Sequence, residues 1–416
     1  MIKSRKLSDG VTLVMEQTSF VQSVSIGIWV KAGAMDETPK ISGISHLIEH
    51  MMFKGTENRT AKDIAADADK IGGQINAFTG KEATCYYIRT ISSNADKAAE
   101  ILLDMLLGSR FDASEMKKEK KVICEEIKMI QDTPDEDAND TMVEMVFKGC
   151  PLEKSIIGTA TSLKGIGRNK VLGYIDDQYT RDSIVISVAG NFDEDKIAEL
   201  FEGRFGKLNA AKEPRKFVNE GFTPAYRVKV RDIEQSHICL AVPTVKQEDP
   251  RYYALSLLNN IMGGSMSSRL FQNIREEKGL AYSVFSTAAS YTDAGYFSIY
   301  AGVAHDKIRA AIEGIKEELA LLEKDGLTAE ELDTAKQQVK SSYVFAQENI
   351  SGRMFSIGKN MALLGKIIPM EDIAKAYDRV TLDDIDEVKH MVTDISGYCG
   401  VAVSGKRIPL KKYMLD

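Results

Sequence analysis

The sequence predicts an α+β fold of two homologous domains, each a mostly antiparallel sheet with helices packed on one face. Two observations lead to this prediction. In both halves of the chain, β-rich runs are followed by amphipathic helical runs, which is the pattern of α+β layers. In addition, three landmarks recur in the same order at nearly constant offsets of 213, 216 and 215 residues. Such a recurrence is typical of an internal duplication.

The three landmarks are a strand start, a helix start and a buried strand. They are Gln22–Ser23 with Gln235–Ser236, residues 111–115 with 327–331, and residues 185–190 with 400–405. Between the copies, residues 206–224 contain two glycines, two prolines and weak periodicity, which indicates a linker. We therefore expect an N-terminal domain over residues 1–210 and a C-terminal domain over residues 225–416.

The elements of the first half follow from local signals. The run 24–30 is β-rich and partly alternating, which predicts a strand. Thr60 and Asp63 have the spacing of a capping box, and this box starts a helix that the glycine pair at 72–73 ends. In chain order, we predict a strand over 24–30, helices over about 43–53 and 60–72, strands over about 74–79 and 83–91, helices over 95–107 and 114–131, and a strand over 185–190.

Composition argues against several classes of protein. Apolar residues are 44% and charged residues 28% of the 416 residues, as in ordinary globular chains. The net charge of −7 argues against nucleic-acid binding and against a polybasic membrane role, and no apolar run approaches the ~18 residues of a membrane span. Five widely spaced cysteines without a C-x-x-C pair, and a start without an apolar or Arg/Ser-rich leader, predict a reduced, cytoplasmic protein.

The sequence H-L-I-E-H at residues 46–50 is the sharpest functional signal. On a helix, His46 and His50 lie one turn apart, so both imidazoles can face one ion. Glu49 projects from nearly the same face and can reach a water molecule beside the ion without being a ligand. The order H-x-x-E-H is the inverzincin signature. The alternative is a pair of helix-surface histidines with an incidental glutamate.

A downstream helix offers carboxylates for a third zinc ligand. One of its faces combines apolar residues and two glutamates at steps of three and four, namely Met116, Glu119, Ile123, Glu126 and Ile130. Carboxylates on a core-facing stripe are costly unless they are paired or bound to metal. The neighbouring Glu125 is turned about 100° away, which favours Glu126 as the ligand. The alternative is that both glutamates form buried ion pairs with lysines.

With these motifs, the chain resembles the pitrilysin-type inverzincin peptidases. The similarity is greatest to their short, two-domain branch, which includes the mitochondrial processing peptidase β subunit and bacterial relatives. It rests on H-L-I-E-H-M-M-F-K-G-T at residues 46–56 and on the spacing E-x6-E downstream. The roles that the resemblance implies are zinc ligands for His46, His50 and Glu126, the general base for Glu49, and support of the ligands for Glu119.

The resemblance also points to a substrate-binding strand in the first half. Residues 72–87 resemble the family's strand beside the zinc, whose edge pairs with an extended substrate. Asn76, Ala77 and Phe78 are therefore expected to bind substrate. Without the family, this segment is equally typical of an ordinary hairpin.

A second substrate-binding segment is implied in the second half. R-E-E-K-G-L-A-Y at residues 275–282 resembles the family's arginine–tyrosine pair. The resemblance implies that Arg275 binds a substrate carbonyl or oxyanion and that Tyr282 donates a hydrogen bond to the developing oxyanion. An arginine and a tyrosine seven residues apart carry no such meaning without the family.

The second half does not repeat the metal motif. The positions equivalent to the first-half site residues are occupied by Asn259, Met262, Gly263 and Ser342. One zinc ion per chain is therefore expected. The remaining histidines have no spaced partner and are expected to be structural or surface residues, namely His237, His305 and His390.

The function implied by the resemblance is a zinc metalloendopeptidase that hydrolyses peptides or unfolded protein segments in a closed chamber. The family's chamber needs four domains, so a two-domain chain needs a partner. Because the zinc motif and the arginine–tyrosine pair occur in one chain, a homodimer is expected. Two alternatives stay open. One is a catalytically silent structural subunit of the same fold, against which the intact motif argues, and the other is a metal-dependent hydrolase of non-peptide bonds.

Overall fold

The chain forms two compact units, each assembled from three stretches of sequence. The structure is a computed structural model that describes residues 2–219 and 221–416. Unit 1 consists of Met1–Ile127, Lys154–Lys216 and Val344–Pro369, and unit 2 consists of Lys128–Glu153, Phe217–Tyr343 and Met370–Asp416. Each unit thus takes one stretch of chain from within the other half of the sequence.

In both halves, groups of strands are followed by groups of helices. The strands are β1 (Ile2–Lys6), β2 (Thr12–Gln17), β3 (Ser23–Val30), β4 (Gln74–Thr79), β5 (Thr84–Ile91), β6 (Ile184–Gly190), β7 (Tyr226–Val230), β8 (Gln235–Thr244), β9 (Ala281–Ser290), β10 (Gly295–Ala304) and β11 (Cys399–Ser404). The α-helices are α1 (Ile44–Met52), α2 (Ala61–Lys70), α3 (Ala95–Gly108), α4 (Ala113–Asp132), α5 (Pro134–Val146), α6 (Ala160–Gly165), α7 (Arg168–Gln178), α8 (Glu194–Phe201), α9 (Tyr252–Asn259), α10 (Ile308–Asp325), α11 (Ala329–Glu348), α12 (Ile350–Leu364), α13 (Met370–Arg379), α14 (Leu382–Thr393) and α15 (Leu410–Leu415). In the part of the chain that the structure describes, no helix is both long enough and apolar enough to span a membrane.

The two sheets share one topology. The sheet of unit 1 has the order β1-β2-β6-β3-β5-β4, and the sheet of unit 2 has the order β7-β11-β8-β10-β9. The pairs β2–β6 and β7–β11 are parallel, and the other neighbours are antiparallel. Apart from β1, each strand of the first sheet has a counterpart at the same place in the second. The prediction of an α+β fold of two related, mostly antiparallel domains is confirmed.

The main core of unit 1 lies on one face of its sheet. In β3, Val24, Ile26, Ile28 and Val30 alternate into this core. They meet apolar residues of α1 and α3, which pack over β5 and the neighbouring strands. This arrangement is the one expected from the alternation of residues along a strand, because every second side chain points to the same face.

The second face of this sheet is also covered, which the prediction of helices on one face did not include. Helix α12, from the far end of the sequence, packs on β2, β3 and β6. The approach is close, because a Cβ atom on Gly358 would lie 2.0 Å from Nε1 of Trp29. Trp29 Nε1 donates to Ser187 Oγ at 3.0 Å beneath the helix. Because α12 covers this face, all seven residues of β6 are buried.

An acidic segment follows Pro134. It forms the first turn of α5, which packs on β8 and β11. Asp137 is buried there and forms ion pairs with Lys229 at 2.7 Å and with Arg231 at 3.0 Å. Two cations on one buried carboxylate offset its desolvation. This acidic residue is therefore engaged within unit 2 and does not offer a free charge to a basic peptide.

The predicted linker, residues 206–224, contains no helix or strand among its described residues. Its first part is fixed to unit 1 by two cations on one buried carboxylate. Lys212 Nζ lies 3.0 Å from Asp36 Oδ1, and Arg215 Nη2 lies 2.6 Å from Asp36 Oδ2. Burial of Asp36 raises the pKa of its carboxyl, but the hydrogen bond and charge of Arg215 and the charge of Lys212 outweigh it and lower the pKa.

Candidate metal centre

Helix α1 carries three of the predicted site residues, and its start is tightly specified. Gly43 at its N-cap has a φ of 87°, in the left-handed region that favours glycine. The carboxylate of Glu37 caps the helix, because it accepts hydrogen bonds from the backbone N–H of Gly43 at 2.7 Å and of Ser45 at 2.9 Å. Glu37 is buried. The sequence analysis missed this residue, since it lies six residues before the N-cap, Gly43, rather than at a standard capping position.

Glu37 is expected to make stability depend on pH. Burial raises the pKa of its carboxyl from 4.5 to about 7, although the two backbone N–H groups lower it. The folded state then holds the proton more tightly than the unfolded state. This contribution to the free energy of unfolding is complete below pH ~4.5 and is lost as the pH rises to about 7. Urea unfolding of the chelator-treated wild-type protein and of the chelator-treated Glu37→Gln variant, at several pH values, measures this contribution to the free energy of unfolding. The difference between them should fall by about 2–3 kcal/mol between pH 5 and 8, and a constant difference would contradict it.

The three predicted zinc ligands converge in unit 1. One nitrogen each of His46 and His50 and one oxygen of Glu126 all lie within 4.8 Å of one another. The two imidazole centroids are 4.6 Å apart, and Nε2 of His50 is 3.6 Å from Oε2 of Glu126. Neighbouring ligand atoms of a tetrahedral zinc site lie roughly 3.4 Å apart, given bonds of about 2.0–2.2 Å. The observed spacing therefore fits one zinc ion.

The state of these side chains also fits a metal. Burial, and then the nearby His50, lower the pKa of His46 to about 4, so its imidazole is neutral at physiological pH. Neutral imidazole is the form that binds metals. Within residues 2–219 and 221–416, the buried Nδ1 of His46 has no hydrogen-bond partner. Two imidazoles and one carboxylate form the donor set of catalytic zinc sites that keep one position open.

His50 is oriented by a buried carboxylate behind it. Its Nδ1 lies 3.2 Å from Oε2 of Glu119, which leaves Nε2 directed to Glu126. The other oxygen of Glu119 lies 2.9 Å from Nζ of Lys54. Glu119 is therefore engaged by both a histidine and a lysine, so the ion pair considered as an alternative does form for this glutamate. A carboxylate on the outer nitrogen fixes the tautomer and raises the basicity of a metal-binding imidazole.

Glu49 lies beside the three converging residues but is not one of them. Its Oε2 accepts a hydrogen bond of 2.5 Å from Thr79 Oγ1, at the end of β4. Burial raises the pKa of the Glu49 carboxyl, while Thr79 and His50 lower it and the charge of Glu126 raises it. A carboxylate with a raised pKa is suited to accept and return a proton near neutral pH. Thr79 has no role in the sequence analysis, because only the tertiary structure brings β4 next to α1.

The predicted substrate strand, β4, is an edge strand. Within residues 2–219 and 221–416 it pairs with β5 alone, and it is the last strand in the order of its sheet. Asn76 and Phe78 are exposed, whereas Ala77 is buried. The free edge of β4 thus offers backbone groups to an extended chain, in the manner of β-strand addition. Its last residue is the one that holds Glu49.

The two predicted site residues of the second half lie together in unit 2. Arg275 occurs in a π-helical stretch, Phe271–Glu277, and such stretches are frequent at functional sites. Its guanidinium carbon lies 4.7 Å from the ring centroid of Phe271 and 5.6 Å from that of Tyr282. Tyr282 is 76% exposed. Both side chains are thus accessible and adjacent, as a pair that binds one substrate needs.

The other histidines have ordinary partners. The contacts are His237 Nδ1 with Tyr300 Oη at 2.7 Å, His305 Nδ1 with Ser236 Oγ at 2.6 Å, and His390 Nδ1 with Glu323 Oε2 at 3.0 Å. Among the described residues, His46, His50 and Glu126 are the one group of three or more potential ligands close enough to share an ion.

Comparisons with known proteins show the family to which this chain belongs. Residues 12–160 match the family described as Insulinase (Peptidase family M16), and residues 165–339 match the Peptidase M16 inactive domain. An uncharacterized zinc protease, YmxG of Bacillus subtilis, is 41% identical over 386 residues, which cover 93% of this chain and 94% of the relative. The chain belongs to peptidase family M16. The predicted resemblance is therefore confirmed, and so is the class of enzyme, a metallopeptidase.

Further M16 relatives and solved structures extend the similarity over the whole chain. An uncharacterized zinc protease of Rickettsia felis is 40% identical over 383 residues, 91% of this chain and 92% of its own length. A protease from Helicobacter pylori has a similar structure, with a TM-score of 0.90 at 22% identity, over 97% of this chain and 99% of that one. A chain of Complex III2 from Candida albicans has a TM-score of 0.86 at 18% identity, over 100% and 99%. At these identities, the two structures show a common fold alone.

Proposed function

We propose that this M16 chain is a zinc-dependent endopeptidase that hydrolyses peptides or unfolded protein segments. The observation that carries the proposal is the convergence of His46, His50 and Glu126, with Glu49 beside them and outside the set. The relatives named zinc proteases support the choice of metal. One ion per chain is proposed, because the described residues contain one such group.

The chemistry follows from the position of each side chain. His46, His50 and Glu126 would hold a zinc ion, which when bound would act as a Lewis acid and make a water molecule acidic enough to react near neutral pH. Glu49 accepts the proton of the water molecule that attacks the scissile carbonyl, and then returns it to the leaving amine. Glu119 holds His50 in the orientation that keeps Nε2 on the metal side.

Unit 2 is proposed to contribute to the same reaction through Arg275 and Tyr282. The tyrosine hydroxyl donates a hydrogen bond to the oxyanion as it develops, and the guanidinium binds a substrate carbonyl. The exposure of Tyr282 and its contact with Arg275 support these roles.

The substrate is proposed to bind in an extended form. The free edge of β4, with Asn76, Ala77 and Phe78, pairs with the backbone of a peptide, which gives affinity with little demand on sequence. Unfolded segments offer such a backbone, whereas the backbone of a folded domain is already paired. The similarity to processing peptidases also suggests a closed chamber of four domains. We therefore propose a homodimer, and light scattering of the purified protein tests this oligomeric state. We also propose that the protein acts in the cytoplasm, in keeping with its five widely spaced cysteines that lack a C-x-x-C pair.

Removal of the metal tests the function directly. The purified chain is expected to hydrolyse a pool of unstructured peptides, to lose this activity on dialysis against a chelator, and to regain it when about one equivalent of zinc is added. Mass spectrometry of the products shows whether internal bonds are cut. Zinc binding without peptide hydrolysis would favour the silent-subunit alternative instead. Hydrolysis that is indifferent to chelation would contradict a metallopeptidase.

The role of Tyr282 has its own test. Tyr282→Phe removes one hydroxyl, and the loss of one oxyanion donor lowers kcat by roughly 10²–10³-fold in other enzymes. Zinc content and the free energy of unfolding should stay at wild-type values, because Tyr282 is exposed in unit 2. Tyr413→Phe, in α15 of the same unit, is the matched control. Equal kcat for the two variants would remove Tyr282 from the mechanism.

A further inference from the structure

An apolar groove lies in unit 1 along α4, at some distance in sequence from every residue of the motif on α1. It runs between α4, α6 and the start of α7, with a cavity volume of about 630 Å³. Its floor contains Met116, Cys124 and Leu163, which are buried or half-buried. A volume of this size lies within the usual ~300–1,000 Å³ range of small-molecule sites.

The rim of this groove is strongly cationic. Five basic residues line it, namely Lys117, Lys120, Lys121, Lys164 and Arg168, against the single carboxylate of Glu125. The concentration of positive charge is notable in a chain whose net charge is −7. A cleft with one sign of charge and apolar walls attracts ligands of the opposite sign.

Several of these cations have no acidic partner. Within the described residues, Lys117, Lys121 and Lys164 form no ion pair, and all three are exposed. Arg168 is fixed in place, because its Nε donates to the carbonyl of Phe111 at 3.1 Å and its Nη2 to that of Arg110 at 3.0 Å. Both of these partners are neutral. The positive charge of the rim is therefore left for a ligand.

We propose that this groove binds a single-chain amphiphilic anion, a fatty-acid carboxylate, with the chain on the apolar floor and the carboxylate among the rim cations. The floor alone would accept any apolar molecule, and the rim alone would accept any anion. The combination selects a molecule that carries both an apolar body and a negative head. The cavity volume favours a small molecule over a protein segment, because a stable protein interface buries about 800 Å² on each partner.

The groove is separate from the metal residues although it uses the same helix. Lys120 and Glu125 of the groove are sequence neighbours of Glu119 and Glu126, which face the metal side. An occupant would touch an adjacent face of α4, about 100° around the helix. The proposal does not depend on the peptidase function, because binding can be measured without turnover.

Calorimetry with decanoate, below the concentration at which it forms micelles, tests the proposal on the full-length protein. Decanoate should bind with one site per chain, and more weakly as salt is added. Decanol and acetate separate the two halves of the ligand, and each should bind at least ~10-fold more weakly than decanoate. If decanol binds as tightly as decanoate, the rim has no role in binding. If acetate binds as tightly as decanoate, the floor has no role. Either result would overturn the proposal.

Paired variants locate the site. Lys117→Gln with Lys121→Gln should weaken decanoate binding by roughly 3- to 20-fold, in line with the loss of two exposed charges. Lys62→Gln with Lys97→Gln, two exposed lysines elsewhere in unit 1, is the control with the same change in net charge. Ala160→Trp on α6 should block the groove without touching the core, since Ala160 is exposed. Unchanged binding of decanoate to both groove variants would overturn the assignment. Binding of an acidic helical peptide to the groove, without binding of decanoate, would overturn it as well.

Discussion

Glu49→Gln is expected to lower the rate of peptide hydrolysis by ~10²–10⁴-fold, the usual effect of removing a general base. Glutamine keeps the shape of the side chain and an oxygen that can accept the hydrogen bond from Thr79. It cannot take a proton from water at neutral pH. Because Glu49 is outside the group of three converging residues, zinc content and the fold should be unchanged.

The measurement combines elemental analysis, unfolding and peptide turnover on one preparation of each protein. Glu57→Gln, an exposed glutamate shortly after α1, is the control for a lost negative charge. The expected pattern is wild-type zinc with almost no turnover for Glu49→Gln, and wild-type values of both for Glu57→Gln. A Glu49 variant that hydrolyses peptides at the wild-type rate would refute the proposed mechanism, whereas one that loses its zinc would show that Glu49 is itself a ligand.

His50→Ala is expected to remove nearly all of the zinc and with it all hydrolysis. The substitution leaves His46 and Glu126, and two protein ligands rarely retain zinc against competition. It also removes the imidazole that faces the buried Glu119 and leaves that carboxylate paired with Lys54. The metal loss is therefore expected to come with a measurable loss of stability.

Elemental analysis after extensive dialysis gives the zinc content of this variant. His390→Ala, which removes an exposed histidine paired with Glu323, is the matched control and should keep about one zinc per chain. Glu126→Gln should resemble His50→Ala in zinc content, because it alters the third proposed ligand of the same group. Wild-type zinc in both site variants would place the metal elsewhere and end the proposal.

The local sequence was sufficient to predict most of the helices and strands and to select the residues that converge in unit 1. The spacing of His46 and His50 on a helix and the stripe that carries Glu119 and Glu126 are features of helical periodicity, and the structure brings them together. The predicted strand 74–79 is observed as Gln74–Thr79, and the helix predicted over 114–131 is observed as Ala113–Asp132. Helical and strand periodicity depends on residues that are close together in sequence, so the sequence alone is enough to predict these elements.

The residues that support the site were not predictable in this way. Glu37 caps α1 from a preceding turn, and Lys54 binds Glu119 across 65 positions of sequence. Thr79 was part of the predicted strand, but its contact with Glu49 depends on how β4 lies beside α1. Each of these side chains has an ordinary surface or strand residue type, and nothing in the local pattern indicates its contact at the site.

The sequence by itself determined the α+β class, the repeat and the helix and strand periods, because these follow from spacing within one element or from constant offsets. It also predicted His46, His50 and Glu126 as one set of ligands, through the H-x-x-E-H spacing, the glutamate stripe of a second helix and the family resemblance. Only the tertiary structure decided what covers the second face of each sheet. Helix α12 packs on β3 and β6, and α5 brings Asp137 to Lys229 and Arg231. The physical reason is that an apolar strand face requires burial and a charged helix turn requires a counter-charge, but the local sequence does not identify the partner. That partner lies far away along the chain.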